Sequence, residues 1–173
     1  MGPAIIVADT SVLINFLRID RMDLIGAHPS PFIVTDHVAD EITGSYAQQQ
    51  TRFQAALAAG HVMQHRIDDP AEVEMFARLS AKGRLGAGER SAIAVALNRG
   101  FALAMDDSRA IRRAVQEAGV AGNPLTIHRT RDVMVQMIGA GLLDIAAADA
   151  IKDDWRRNHR FAIRVGSFAE SCG

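Results

Sequence analysis

The sequence predicts an α/β domain with a central, mostly parallel sheet flanked by helices. Short apolar runs suited to buried strands alternate with segments of helical period over the first 128 residues. Glycines and capping residues punctuate the alternation. The chain of 173 residues, 49% apolar and 23% charged, has the size and balance of one ordinary globular domain. We therefore read 1–173 as a single domain, with the motif-bearing part at about 4–128 and a helical C-terminal part at about 129–173.

In order, the apolar run Ala4–Ala8 predicts a first strand, closed by Asp9. Ser11–Leu17 is a short apolar helix. Pro31–Thr35 is a second strand, followed by a helix over Asp36–Thr43 with Asp36 as its cap and Gly44 as its stop. Thr51–Ala59 has helical period, and His61–Ile67 is a third strand. Helices over Ala71–Ala81 and Glu89–Asn98 follow, the latter between Gly88 and Gly100. Phe101–Met105 is a fourth strand, Ser108–Ala118 a helix ending at Gly119, and Leu125–Ile127 a short fifth strand. Arg131–Ile138 and Ile145–Asn158 read as helices. Phe161–Phe168 fits either a closing strand or a loop.

Charge alone argues against a generally basic nucleic-acid binder. Nineteen Lys and Arg meet twenty Asp and Glu, for a formal net charge of −1. The single Cys172 has no internal partner, so a reducing, cytoplasmic setting is expected. The first apolar run lacks both the length and the basic flank of a signal or an anchor, so no membrane association is expected.

The acids fall at particular places. Asp9 follows the first strand, and Asp106 and Asp107 follow the fourth. Asp36, Asp40 and Glu41 lie in the helix after the second strand, and Glu89 opens the helix that feeds the fourth. In an open parallel sheet, ligands bind beyond the carboxyl ends of the strands. Carboxylates gathered there without lysines either take up protons or hold a cation. A donor set free of Cys and His favours Mg²⁺ or Mn²⁺ over zinc. Singly, each acid reads as a cap or a solvated face; together on one rim they read as a site.

Four segments then resemble a known family. Ile5–Leu17 (IIVADTSVLINFL) looks like the opening of PIN-domain ribonucleases, especially the VapC-like toxins of toxin–antitoxin pairs. Val38–Ile42 (VADEI) resembles their second acidic segment, Leu85–Ala94 (LGAGERSAIA) the third, and Ala104–Arg112 (AMDDSRAIR) the fourth. The resemblance implies a PIN fold and Mg²⁺- or Mn²⁺-dependent endonuclease cleavage of single-stranded RNA by a metal-activated water. It places Asp9, Glu41, Glu89 and Asp107 as the catalytic quartet. Asp9, Glu89, Asp106 and Asp107 would be the metal ligands, with Asp106 the rival or partner of Asp107, and Ser11 a supporting residue. It also implies a small antitoxin partner and a homodimer. Where the family commonly has Thr or Ser, this chain has Met105.

Arg109, Arg112 and Arg113 share one predicted helix at a spacing that could track RNA phosphates. Lys152, Arg156, Arg157 and Arg160 form a second basic group, equally readable as a solvated face because Asp153 and Asp154 lie within it. The glycines of Gly83–Gly88 lack the Gly-Lys-Ser/Thr ending of a phosphate cradle, and Glu89 would oppose one. His61 and His65 have no third ligand nearby. Met75, Met134, Met137 and Trp155 fit core packing. Two other functions stay open: a catalytically silent PIN-like binding or scaffold protein, and a metal-dependent DNA nuclease. If the quartet holds cations, the loaded protein is more positive than its formal charge suggests.

Overall fold

β1 (Ile6–Ala8) lies between β2 (Phe32–Thr35) and β4 (Ala102–Ala104), with β3 (Met63–His65) and β5 (Ile127–His128) at the edges of a five-stranded sheet. The computed structural model describes residues 2–81 and 83–172. Every pairing is parallel, with Val7 opposite Ile33 on one side and Leu103 on the other. Parallel pairing needs a crossover between strands, and the helices supply it.

Among the described residues these helices are α1 (Thr10–Arg18), α2 (Met22–Ala27), α3 (Asp36–Ser45), α4 (Gln50–Ala58), α5 (Pro70–Ala81), α6 (Ala87–Arg99), α7 (Ser108–Ala121), α8 (Thr130–Gly139) and α9 (Ile145–Asn158).

The two-residue period of a strand sorts the core into two clusters. Ile6 and Ala8 face one cluster, built with α1 through α4, α8, α9 and Phe168. Val7 faces the other, built with α5, α6 and α7. The C-terminal helices are therefore integral to the fold, since Val133, Met134, Met137 and Trp155 are wholly buried in the first cluster. Helix α6 is buried all round from Ser91 to Leu97, which its small and apolar residues permit.

Several boundaries differ from expectation, each for a local reason. Thr35, not Asp36, caps α3, its hydroxyl accepting from Val38 N–H, and the helix runs through Gly44 to Ser45. Helix α6 begins at Ala87, so Gly88 lies inside it. Asp107 caps α7, which continues past Gly119 to Ala121 and stops at Gly122, whose φ of 66° suits glycine. His61 falls outside β3, and His65 pairs with the buried Glu72. The fifth strand sits later than expected, and residues 161–167 form a loop rather than a strand. Helix α2 was not expected.

Candidate active site

The rim at the C-terminal ends of β1 and β4 is assembled from helix starts. Asp9 ends the first strand's run and caps α1, its Oδ2 accepting from Ser11 N–H at 3.2 Å and Ser11 Oγ at 2.6 Å. It is only 2% exposed, and its Oδ1 has no hydrogen-bond partner. Burial pushes its pKa up to about 6, with the fields of Glu89 and Glu41 adding to the rise and the Ser11 bonds opposing it.

Glu41 stands on α3, and its Oε2 accepts from Thr10 Oγ1 at 3.1 Å. It leans against the N-terminus of α6 so closely that a Cβ on Gly88 would collide with it. A helix N-terminus favours a carboxylate there. Glu89 occupies the first turn of the same helix, its Oε2 accepting from Gly86 N–H at 2.9 Å. Gly86 has no side chain, so only this half of a capping box forms. Burial raises the Glu89 pKa first, opposed by the Gly86 bond, and Asp107 and Glu41 add to the rise while Arg109 lowers it.

The two acids after β4 behave differently. Asp107 caps α7, accepting from Arg109 N–H at 2.9 Å and Ala110 N–H at 2.8 Å, both through Oδ1. Asp106 instead engages both oxygens: Oδ1 accepts from Thr130 N–H at 2.9 Å, and Oδ2 accepts from Thr130 Oγ1 at 2.6 Å and Asn15 Nδ2 at 3.4 Å. Its pKa is raised by burial and held back by the Thr130 bonds and Arg129. The geometry makes Asp106 a tether between strand and α8, and leaves Asp107 the less committed carboxylate.

Ser11 joins the two halves. Its hydroxyl donates to Asp9 and accepts from Asp106 N–H at 3.1 Å. Behind it, Asn15 bonds Ser11 O at 3.0 Å and Thr130 Oγ1 at 3.1 Å, while Trp155 Nε1 donates to Asn15 O at 2.7 Å. Sequence reasoning missed Asn15 and Thr130. The one local signal was an asparagine within the apolar run of α1. Met105 is fully buried in the second core cluster; the hydroxyl beside the fourth-strand acids comes from Thr130.

The structure thus brings Asp9, Glu41, Glu89 and Asp107 to one rim, with Asp106 bonded into it from behind. Among the described residues, no three His, Cys, Asp or Glu stand in a ready-made ligand cage. Each carboxylate accepts from its own donor: Ser11 for Asp9, Thr10 for Glu41, Gly86 N–H for Glu89 and the start of α7 for Asp107. The donor set nevertheless fits a hard divalent ion: Asp9 Oδ1 is buried and unpartnered, and its neighbours are carboxylates.

Of the basic residues, Arg109 and Arg112 line a groove of about 370 Å³ with Gly83, Leu85 and Arg84, the last not foreseen. Arg113 reaches the same groove but is bound to Glu117 at 2.9 Å. In the C-terminal group, Lys152 Nζ bonds Gly166 O, and Arg156 pairs with Asp153. That group serves packing and a solvated face.

The parallel α/β sandwich thus carries an acidic rim over its central strands. The family model of PIN domains (DUF3368) matches residues 5–153, and the chain belongs to the PIN-domain family. PIN domains are generally nuclease folds. Among solved structures, the chain is similar in fold to a PilT N-terminus domain protein, SSO1118, from the hyperthermophilic archaeon Sulfolobus solfataricus P2. The TM-score is 0.50 at 19% identity, covering 75% of this chain and 89% of that one. No curated protein matches the sequence. No helix among the described residues is long and apolar enough to cross a membrane.

Proposed function

We propose that the protein is a Mg²⁺- or Mn²⁺-dependent endoribonuclease acting on single-stranded RNA, with a toxin's role beside a small antitoxin and as a homodimer. The observation that carries the reading is Asp9: buried, with one oxygen unpartnered, and raised in pKa by burial and by its carboxylate neighbours. Asp9, Glu89 and Asp107 would hold the ion, with Glu41 completing the quartet. When bound, such an ion would supply charge neutralisation and would lower the pKa of the water that attacks the phosphodiester.

The chain's own groups do the rest. Ser11 orients Asp9, Thr10 orients Glu41, and the start of α6 steadies Glu41 and Glu89. Arg109 and Arg112 line one groove and have no ion pair among the described residues, which supports a role for them in meeting RNA phosphates.

Incubation of the purified protein with labelled single-stranded RNA and Mn²⁺ tests this. Cleavage is expected from the parent and none from Asp9→Asn; equal cleavage by both would sink the assignment. Matched RNA and DNA strands distinguish a DNA nuclease. Met105, standing where the family commonly has Thr or Ser, and the near-neutral net charge favour one other reading, a catalytically silent binding protein. Calorimetry separates it, since the nuclease binds Mn²⁺ and the silent protein does not.

A further inference from the structure

Beside Asp106 lies a second cavity, of about 500 Å³. Its walls include Asp106, Arg129, Arg131, Phe161, Ile163 and Arg164. Arg131 and Arg164 are exposed, and none of the three arginines forms an ion pair with a carboxylate among the described residues. Arg129 is held by neutral acceptors, Asp106 O at 2.7 Å and Ser108 Oγ at 3.0 Å. Arg131 reaches Ser171 Oγ at 3.1 Å. Three guanidinium groups face one carboxylate of the wall, Asp106, whose oxygens are already taken by Thr130 and Asn15, and so make a site for an anion with geometry that can be matched bidentately. The wall is not purely polar: Phe161 is half-buried there, its ring edge-on to Trp155 at 5.5 Å. A charged end beside an aromatic surface is the pairing that single-stranded nucleic acids use.

The start of α7 contributes to both grooves: Ser108 lines one and its neighbour Arg109 the other. We propose that the Arg131–Phe161–Arg164 groove is a nucleotide subsite that receives the RNA strand on the far side of the acidic rim, with phosphate on Arg131 and Arg164 and a base against Phe161. This rests on the ribonuclease reading. The strand enters over Arg84, Arg109 and Arg112, crosses the carboxylates and leaves through this groove.

The test is fluorescence anisotropy of a short labelled single-stranded RNA with Mg²⁺, in an Asp9→Asn background that holds cleavage off. Adding Arg131→Ala and Arg164→Ala, both exposed, is expected to weaken binding roughly tenfold and to flatten the dependence of log K on log salt by about 1.4. Phe161→Leu, which keeps an apolar contact for Trp155, is expected to weaken binding roughly fivefold with the salt slope unchanged. If Arg109→Ala/Arg112→Ala weakens binding while the Arg131/Arg164 pair does not, the subsite is overturned and the nuclease reading stands. If the parent binds no RNA, both fall. Displacement of the RNA by poly-glutamate as readily as by unlabelled RNA would overturn the assignment in favour of an acidic protein segment.

Discussion

Ser11 Oγ lies 2.6 Å from Asp9 Oδ2 and donates to it, while the same oxygen accepts the backbone N–H of Asp106. One hydroxyl thus holds together the ends of two adjacent parallel strands, each carrying acids of the rim. Ser11→Ala removes a bond to a carboxylate and leaves the Asp106 N–H without its acceptor. The expected loss is about 1–3 kcal/mol in urea unfolding, with Ser11→Thr restoring most of it. The Asp9 carboxyl should also titrate at higher pH in the alanine variant, because a bond that favours its charged form is gone.

Asp9 itself makes stability depend on pH. Its folded pKa of about 6 stands above the model value of 3.8, so the folded state binds this proton more tightly than the unfolded chain does. The stabilisation from protonation is full below about pH 4 and is lost as pH rises through the folded value, a difference of about 3 kcal/mol. Asp9→Asn, an equally good helix cap, escapes that loss. In metal-free buffer the variant is expected to be more stable than the parent at pH 7.5 and to lose its advantage towards pH 4. An unchanged gap across that range would contradict the burial argument.

Divalent ions reverse the comparison. A ligand that binds only the folded state raises its stability by mass action. Mn²⁺ should raise the melting temperature of the parent and leave that of Asp9→Asn where it was, as read by thermal unfolding with and without EDTA.

Gly88 and Gly119 offer a matched pair. A methyl at Gly88 would run into Glu41 Oε2 and stand 3.4 Å from Val38 Cγ2, whereas one at Gly119 meets nothing within 4 Å. Gly88→Ala is expected to push the mobile end of Glu41 off the rim, the lost Thr10 bond offsetting the gain in helix propensity so that stability changes little. Gly119→Ala, in the interior of α7, is expected to stabilise by about 0.5–1 kcal/mol. Chemical denaturation of both variants checks the contrast.

Thr130→Val removes the hydroxyl that donates to Asp106 and accepts from Asn15. The expected cost is about 1–3 kcal/mol, with Thr130→Ser recovering it. Equal stability of the valine and serine variants would show that the tether carries nothing.

The strands bearing Asp9 and Asp106 were legible because burial on both faces leaves an unbroken apolar run that an acid then terminates. The order of the acids was legible for the same reason. Helix α2 was not, because the six residues Met22–Ala27 are too few to display a period. Asp36 was a plausible cap, but the preceding Thr35 points its own hydroxyl at Val38 N–H, a choice made by backbone geometry. Gly119 reads locally as a stop, yet α7 continues to Ala121, and it is the following Gly122 that takes the left-handed conformation. The roles of Asn15 and Thr130 were hidden because their bond joins residues 115 positions apart. Local pattern cannot report a contact that only the closed fold creates.

Trp155 is the sole tryptophan of the chain, wholly buried, with its indole N–H on the carbonyl of Asn15. The protein therefore carries a built-in optical probe two hydrogen bonds from Asp106. Intrinsic fluorescence excited at the indole band would register loosening around the acidic rim without any added label. Local opening there could be followed separately from melting of the α5–α7 side of the sheet, which contains no tryptophan.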